Sequence, residues 1–190
     1  MARYRSRATS RDRLRSDSYS RTSMREHSSL LAYTIPYASI LLGSLLPSLA
    51  FSSLMPFLPP MGFLFLLTWR IMRPGLLPMW IGFPLGLFDD LFSGQPFGSA
   101  ILLWSVTLIT IEILEARFPW RGFWQDWFTA AIGIVLYILA AMLVSGAFPN
   151  IHQLFANLPQ LLLSVILYPI IARMVAGFDK LRLKRFKVIS

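Results

Sequence analysis

What most constrains this chain is the stretch from which net charge is missing. Residues 30–176 carry five Arg and five acids, a balance of zero, whereas residues 1–29 hold eight Arg against three acids. Residues 177–190 hold five Lys/Arg against Asp179 alone. A water-soluble domain is about a quarter charged and under half apolar; here 14% of residues are charged and 55% hydrophobic. Mean hydropathy, at +0.58, points the same way. A neutral apolar body between two basic ends reads as an all-α, polytopic integral membrane protein. With no cysteine in the chain, disulfide scaffolds, thiolate metal sites and cysteine nucleophiles are excluded.

Crossing a hydrocarbon core of about 30 Å takes about 20 mostly apolar residues. Six stretches qualify: Leu30–Phe51, Leu54–Trp69, Leu76–Phe92, Phe97–Leu114, Phe128–Phe148 and Leu158–Gly177. The second is the shortest and opens on Pro56, Pro59 and Pro60. Lys and Arg collect on the cytoplasmic side of a membrane. They occupy the N-terminal tail, Arg70 and Arg73, Arg117 and Arg121, and the C-terminal end, while the three intervening connections have none. This alternation predicts a six-helix transmembrane bundle with both termini cytoplasmic. Trp69, Trp120, Trp124 and Trp127 lie beside the basic connections, where amphipathic rings favour the headgroup level.

Three segments follow. Residues 1–29, with eight Ser and eight Arg, cannot bury enough apolar surface to fold and are expected to be a disordered basic cytoplasmic tail. Residues 30–176 form the membrane domain. Residues 177–190 alternate basic and apolar side chains and suit a cytoplasmic segment on the inner leaflet. Both ends would attract anionic lipid, at about 1 kcal/mol per nearby basic residue. Tyr4 and Tyr19 are isolated, so the tail lacks the aromatic interleaving of a nucleic-acid binder. Its three acids argue against an organellar presequence.

The chain offers little to a chemist. Its two histidines, His27 and His152, have no helical partner of the kind a zinc site needs, and no nucleophile elbow, phosphate loop or metalloprotease motif occurs. Ser44, Ser99 and Ser164 are expected to bond back to the preceding turn. No catalytic residue, metal site or cofactor is expected, and the protein reads as a non-enzyme.

The informative segment is GFPLGLFDDLFSGQPFG, residues 82–98. Gly82, Gly86 and Asp90 recur every four residues and share one helix face. Two glycines at that spacing permit close helix approach, either within the bundle or to a partner. Gly94 and Gly98 suit a tight reversal into the next span. Asp90 is 17 residues beyond Arg73, about 26 Å along a helix, which puts it near the opposite interface. Of the adjacent carboxylates Asp89 and Asp90, the glycine face selects Asp90 as inward-facing, there either to accept hydrogen bonds from backbone donors of a neighbouring turn or to cap the outer connection, with a single-carboxylate ion pathway as the sharper alternative. Glu112 and Arg173, near the inner ends of the fourth and sixth spans, lack partners within their own spans and are expected either to pair or, for Arg173, to snorkel to the headgroups.

The spacing G-x3-G-x3-D-x3-G-x3-G over Gly82–Gly98, together with Tyr168-Pro169 ahead of a basic end, resembles the rod shape-determining protein MreD family. Helix order and short loops fit over residues 30–185. Asp89 is an added acid beside the family's one, and the Arg/Ser tail is long. The resemblance implies a component of the elongation complex in the bacterial cytoplasmic (inner) membrane that controls cell shape and side-wall peptidoglycan synthesis. It implies binding to the single-span protein MreC and, through it, to the cell-wall transpeptidase, RodA and MreB. The Gly82/Gly86/Asp90 face and the uncharged outer connections are the expected MreC contact. An alternative resemblance, at the level of fold, is to the substrate-binding subunits of energy-coupling-factor transporters, which would make the chain a small-molecule binder.

Overall fold

The computed structural model describes residues 29–49, 58–117, 122–146 and 151–182. Regular structure among them is helical: α1 (Ser29–Leu49), α2 (Met61–Met72), α3 (Gly82–Phe92), α4 (Ser99–Arg117), α5 (Phe123–Val144) and α6 (Ile151–Arg182), with a 3-10 turn, Met79–Ile81, leading into α3. The basic tail, Trp120, Arg121 and residues 183–190 lie outside the described residues.

Polar contacts fix how the helices run. Trp69, late in α2, donates its indole N–H to Ser39 at the midpoint of α1 at 2.8 Å, and Gly62, at the start of α2, lies against Ser44 further along α1. Arg70 reaches Glu112 near the end of α4, and Arg73 reaches Asp179 near the end of α6. At the other pole, the Gln160 amide of α6 donates to the carbonyl of Leu58, just ahead of α2, at 2.8 Å. Successive helices therefore alternate in direction. The ends of α2, α4 and α6 gather at a charged pole, and their starts gather at an opposite pole that carries amides.

Helix α2 is the hub. Ten of its 12 residues are buried, and it touches α1, α4, α5 and α6. At 1.5 Å per residue it is about 18 Å long, too short to cross a bilayer by itself. A helix apolar on every side has to be wrapped by other helices or by lipid, and here the chain does the wrapping. Pro60 bounds its start, and Pro74 with Gly75, at φ +79°, follows its end. The expected spans Leu54–Trp69 and Leu76–Phe92 thus correspond to shorter helices, of 12 and 11 residues.

Among the described residues three helices, α4, α5 and α6, are long and apolar enough to cross a membrane. Helix α6 has 32 residues, about 48 Å of rise, so it overruns the expected Leu158–Gly177 at both ends. Asp179, Lys180 and Arg182 continue the same helix beyond residue 177. Trp69 also departs from expectation. It is fully buried, bonded to Ser39, with the Arg182 guanidinium 5.8 Å over its ring. Ser39 supplies the acceptor that lets its indole N–H enter the core, whereas Trp124, Phe123 and Phe128 at the charged pole of α5 are exposed.

The glycines of α3 are filled from within the chain. A Cβ on Gly82 would stand 2.9 Å from Ser105 Cα, and one on Gly86 would stand 2.7 Å from the Ala100 carbonyl oxygen and Ile101 Cα. The obstacles are backbone, which cannot rotate away. By contrast a Cβ on Gly133 of α5 meets only the Leu67 methyls, at 3.6 Å. Gly86→Ala is therefore expected to lower stability by about 1–3 kcal/mol through overpacking, and Gly133→Ala to be near neutral. Thermal unfolding of the full chain in detergent distinguishes them, and equal melting temperatures would show that α3 and α4 are not in backbone contact.

Candidate functional site

The segment 82–98 builds a clamp between α3 and α4. An α-helix begins with four backbone N–H groups that lack intrahelical acceptors. At the start of α4 every one of the four is accounted for. Ser99 N–H donates to the Pro96 carbonyl at 3.0 Å. The other three go to Asp90, from Gly98 at 3.0 Å, Ala100 at 2.8 Å and Ile101 at 3.3 Å. The Ser99 hydroxyl adds a fourth bond to Asp90 at 3.2 Å and also lies 3.3 Å from Gln95 Oε1. The first turn of α4 has no acid of its own, so Asp90 supplies from another helix the negative charge that a helix N-terminus favours.

Each member of the spaced motif has a part in this clamp. Gly94 (φ +67°) and Gly98 (φ +95°) occupy left-handed conformations that reverse the chain, a backbone region costly for residues with a Cβ. That reversal returns the Gly98 N–H to Asp90. Gly86 and Gly82 let α4 lie flush along α3, so that the short aspartate side chain reaches. The glycine face is thereby occupied by the chain's own α4, which leaves no room at Gly82 or Gly86 for a second polypeptide.

Asp89 corrects the expectation that only one of the two acids turns inward. Both are buried. Neighbouring residues on a helix are about 100° apart, and α3 has α4 on one side and α1 on the other. Asp89 therefore faces Ser44 of α1 across Gly62 of α2, the one residue small enough to stand between them. Nearby, Tyr137 of α5 stacks on Phe63 with ring centroids 3.9 Å apart and approaches Trp104 and Gln95. The Ser44 hydroxyl, the Tyr137 hydroxyl and the Trp104 indole N–H are buried without a hydrogen-bond partner. Of the three serines expected to bond back along their helices, only Ser164 does so, to Gln160 at 2.6 Å.

The charged pole holds a second cluster. Glu112 bonds Arg70, at 2.5 Å, and not Arg173, which is exposed on α6. Arg70 is 2% exposed and is shared with Glu115 at 3.1 Å. Burial of Arg70 on the hub helix explains the exchange of partners, because a buried guanidinium needs carboxylates whereas Arg173 is solvated or snorkels. Arg73 and Arg182 meet Asp179 in the same way. Sequence reading assigned Arg70 and Arg73 to a loop and missed both clusters. One signal was available: Glu112 and Glu115 are three apart and share a helix face, which calls for a common cation. Among the described residues no group of His, Asp and Glu is arranged to hold a metal ion, and His152 is exposed.

The family model described as rod shape-determining protein MreD matches residues 24–181. No curated protein and no solved structure matches the chain.

Two sets of variants probe the clusters. Asp90→Ala strands three helix N–H groups and is expected to cost about 3 kcal/mol or more, with Asp90→Asn losing roughly half as much because one acceptor remains. Glu112→Gln should cost under about 1 kcal/mol while Glu115 still holds Arg70, and Glu112→Gln with Glu115→Gln about 3–5 kcal/mol, the range for an uncompensated buried charge. Denaturation of the detergent-solubilised chain reads both. Additive single effects at Glu112 and Glu115 would show that the two acids do not share Arg70.

Proposed function

The chain belongs to the MreD family, and on that premise we propose that it is a non-enzymatic component of the bacterial elongation complex, seated in the cytoplasmic membrane and binding MreC. Family membership is the observation that carries this reading. A rod shape-determining membrane protein with its polar groups spent on fastening its own helices acts by presenting shape, and a partner gains affinity from close van der Waals contact. Through MreC the complex would take in the cell-wall transpeptidase and RodA, and inside the cell the MreB filament.

The charged pole is cytoplasmic in this proposal. It carries Arg70, Arg73, Arg117, Lys180 and Arg182, while the Gln95 turn and the start of α6 at the opposite pole carry no Lys or Arg, which is the asymmetry that orients membrane proteins. Both termini then lie inside, the basic tail and C-terminal end contact anionic lipid, and the six helices act as six passes, with α2 and α3 sheltered by the longer ones.

The MreC contact moves away from Gly82 and Gly86, which α4 fills. A largely apolar groove of about 450 Å³, lined also by Ser39, runs between α1 and α6, with Ala38 and Gly43 on one wall, Phe65 at the floor and Met174 opposite. Ala38, exposed on that wall, admits close approach of another apolar helix, which supports docking of the MreC span there, whereas Gly43 is taken up by Phe65 and Gly62 of α2. Leu42, 63% exposed on this groove, is the position to fill.

Co-purification from mildly solubilised membranes tests the docking. Leu42→Trp should reduce recovered MreC about tenfold, and Ile132→Trp, on the exposed face of α5, should not; the reverse pattern would remove the α1/α6 groove from the interface. Topology has its own test, helped by the absence of native cysteine. His152→Cys should react with an impermeant maleimide on intact spheroplasts, and Lys180→Cys only after the membrane is opened. Labelling of Lys180→Cys from outside would invert the proposed orientation.

A further inference from the structure

At the uncharged pole a cleft of about 270 Å³ opens between α5, α6 and the α3–α4 turn. Its polar lining is Gln95, Tyr137, Ser145, Gln153, Asn157 and Gln160, and its apolar wall includes Ile138 and Met142. No charged side chain lines it among the described residues. Such a lining disfavours an ionised ligand, which would be stripped of water with no counter-charge to meet it.

The amides are held rather than loose. Gln160 donates to the Leu58 carbonyl at 2.8 Å, Asn157 donates to the Gln153 carbonyl at 3.1 Å, and Gln95 Oε1 lies 3.3 Å from the Ser99 hydroxyl. A carboxamide has two donors and an acceptor, so these bonds fix the acceptor oxygens of Gln160 and Asn157 and the donor side of Gln95 in place. Tyr137 adds the decisive group: its ring is 4% exposed, it lines the cleft, and its hydroxyl has no hydrogen-bond partner. Buried polar groups are ordinarily satisfied, and one that is not, at the wall of a polar cleft, is a place for a ligand.

We propose that this cleft binds a single uncharged sugar ring. Hydroxyls donate and accept at once, which is what a set of amides with one hydroxyl requires, and the apolar wall suits the C–H face of such a ring. The volume lies just under the lower end of small-ligand pockets, about 300 Å³, and so takes one ring and no chain. A free sugar and the sugar headgroup of a membrane lipid share this chemistry. The site stands apart from the docking of MreC and survives or fails independently of it.

The test uses the full chain, purified without sugar-based detergent, and follows the fluorescence of Trp104 and its neighbours. The probes are the methyl β-glycosides of glucose, galactose and N-acetylglucosamine in zwitterionic detergent, and a neutral monoglucosyl diacylglycerol in nanodiscs. Saturable binding of at least one neutral probe is expected, with glucosamine and glucose 6-phosphate at least tenfold weaker. Response to the lipid alone assigns the site to a headgroup, and response to free glycosides assigns it to soluble sugar. Tyr137→Phe should weaken binding about tenfold and leave the melting temperature of the unliganded protein unchanged or slightly raised, because it removes only an unpaired hydroxyl. No saturable response to any neutral probe, stronger binding of a charged analogue, or undiminished binding by Tyr137→Phe would overturn the proposal.

Discussion

A carboxylate placed at the start of a helix it does not belong to holds the uncharged pole of this molecule together. Asp90 accepts the N–H groups of Gly98, Ala100 and Ile101, donors that lipid could not satisfy and that would cost several kcal/mol each if left in hydrocarbon. The clamp fixes the α3–α4 hairpin, and α3 in turn packs on α1 while α4 packs on the hub helix α2. A second fastening at the other pole, Arg70 with Glu112 and Glu115, ties α2 to α4. Between these two polar knots the helices meet largely through apolar contact, with the Trp69–Ser39 hydrogen bond joining α2 to α1.

That arrangement explains where the sequence was readable and where it was not. The apolar runs located all six helices, and Gly94 and Gly98 announced the reversal. The aspartate's partners were foreseeable in kind, since a turn rich in glycine leaves N–H groups exposed. Helix lengths were not foreseeable. Apolar residues look alike whether they meet lipid or protein, so the burial of Met61–Met72 by four other helices leaves no mark in its composition. Trp69 misled for the same reason, because an amphipathic ring beside Arg70 suits either the headgroups or a core where Ser39 supplies the acceptor. Long-range pairings such as Arg73 with Asp179, 106 residues apart, leave no local pattern at all.

The distribution of polarity also suggests a division of labour. The charged pole spends its ions on one another, and the surface of α1, α5 and α6 is apolar and broadly exposed. The opposite pole keeps uncharged hydrogen-bonding groups and a buried Asp89 set among orphaned hydroxyl and indole donors. A shape-determining protein built this way offers helices to partners along its sides and a polar mouth at one end.

The dependence of this architecture on one side chain is most directly measured by amide hydrogen exchange at Gly98, Ala100 and Ile101 in the full chain reconstituted in nanodiscs. If Asp90 closes the hairpin, these three amides exchange slowly in the native protein and at least a hundredfold faster in Asp90→Ala, with the rest of α4 following. Fast exchange in the native protein, or exchange indifferent to the substitution, would contradict the account.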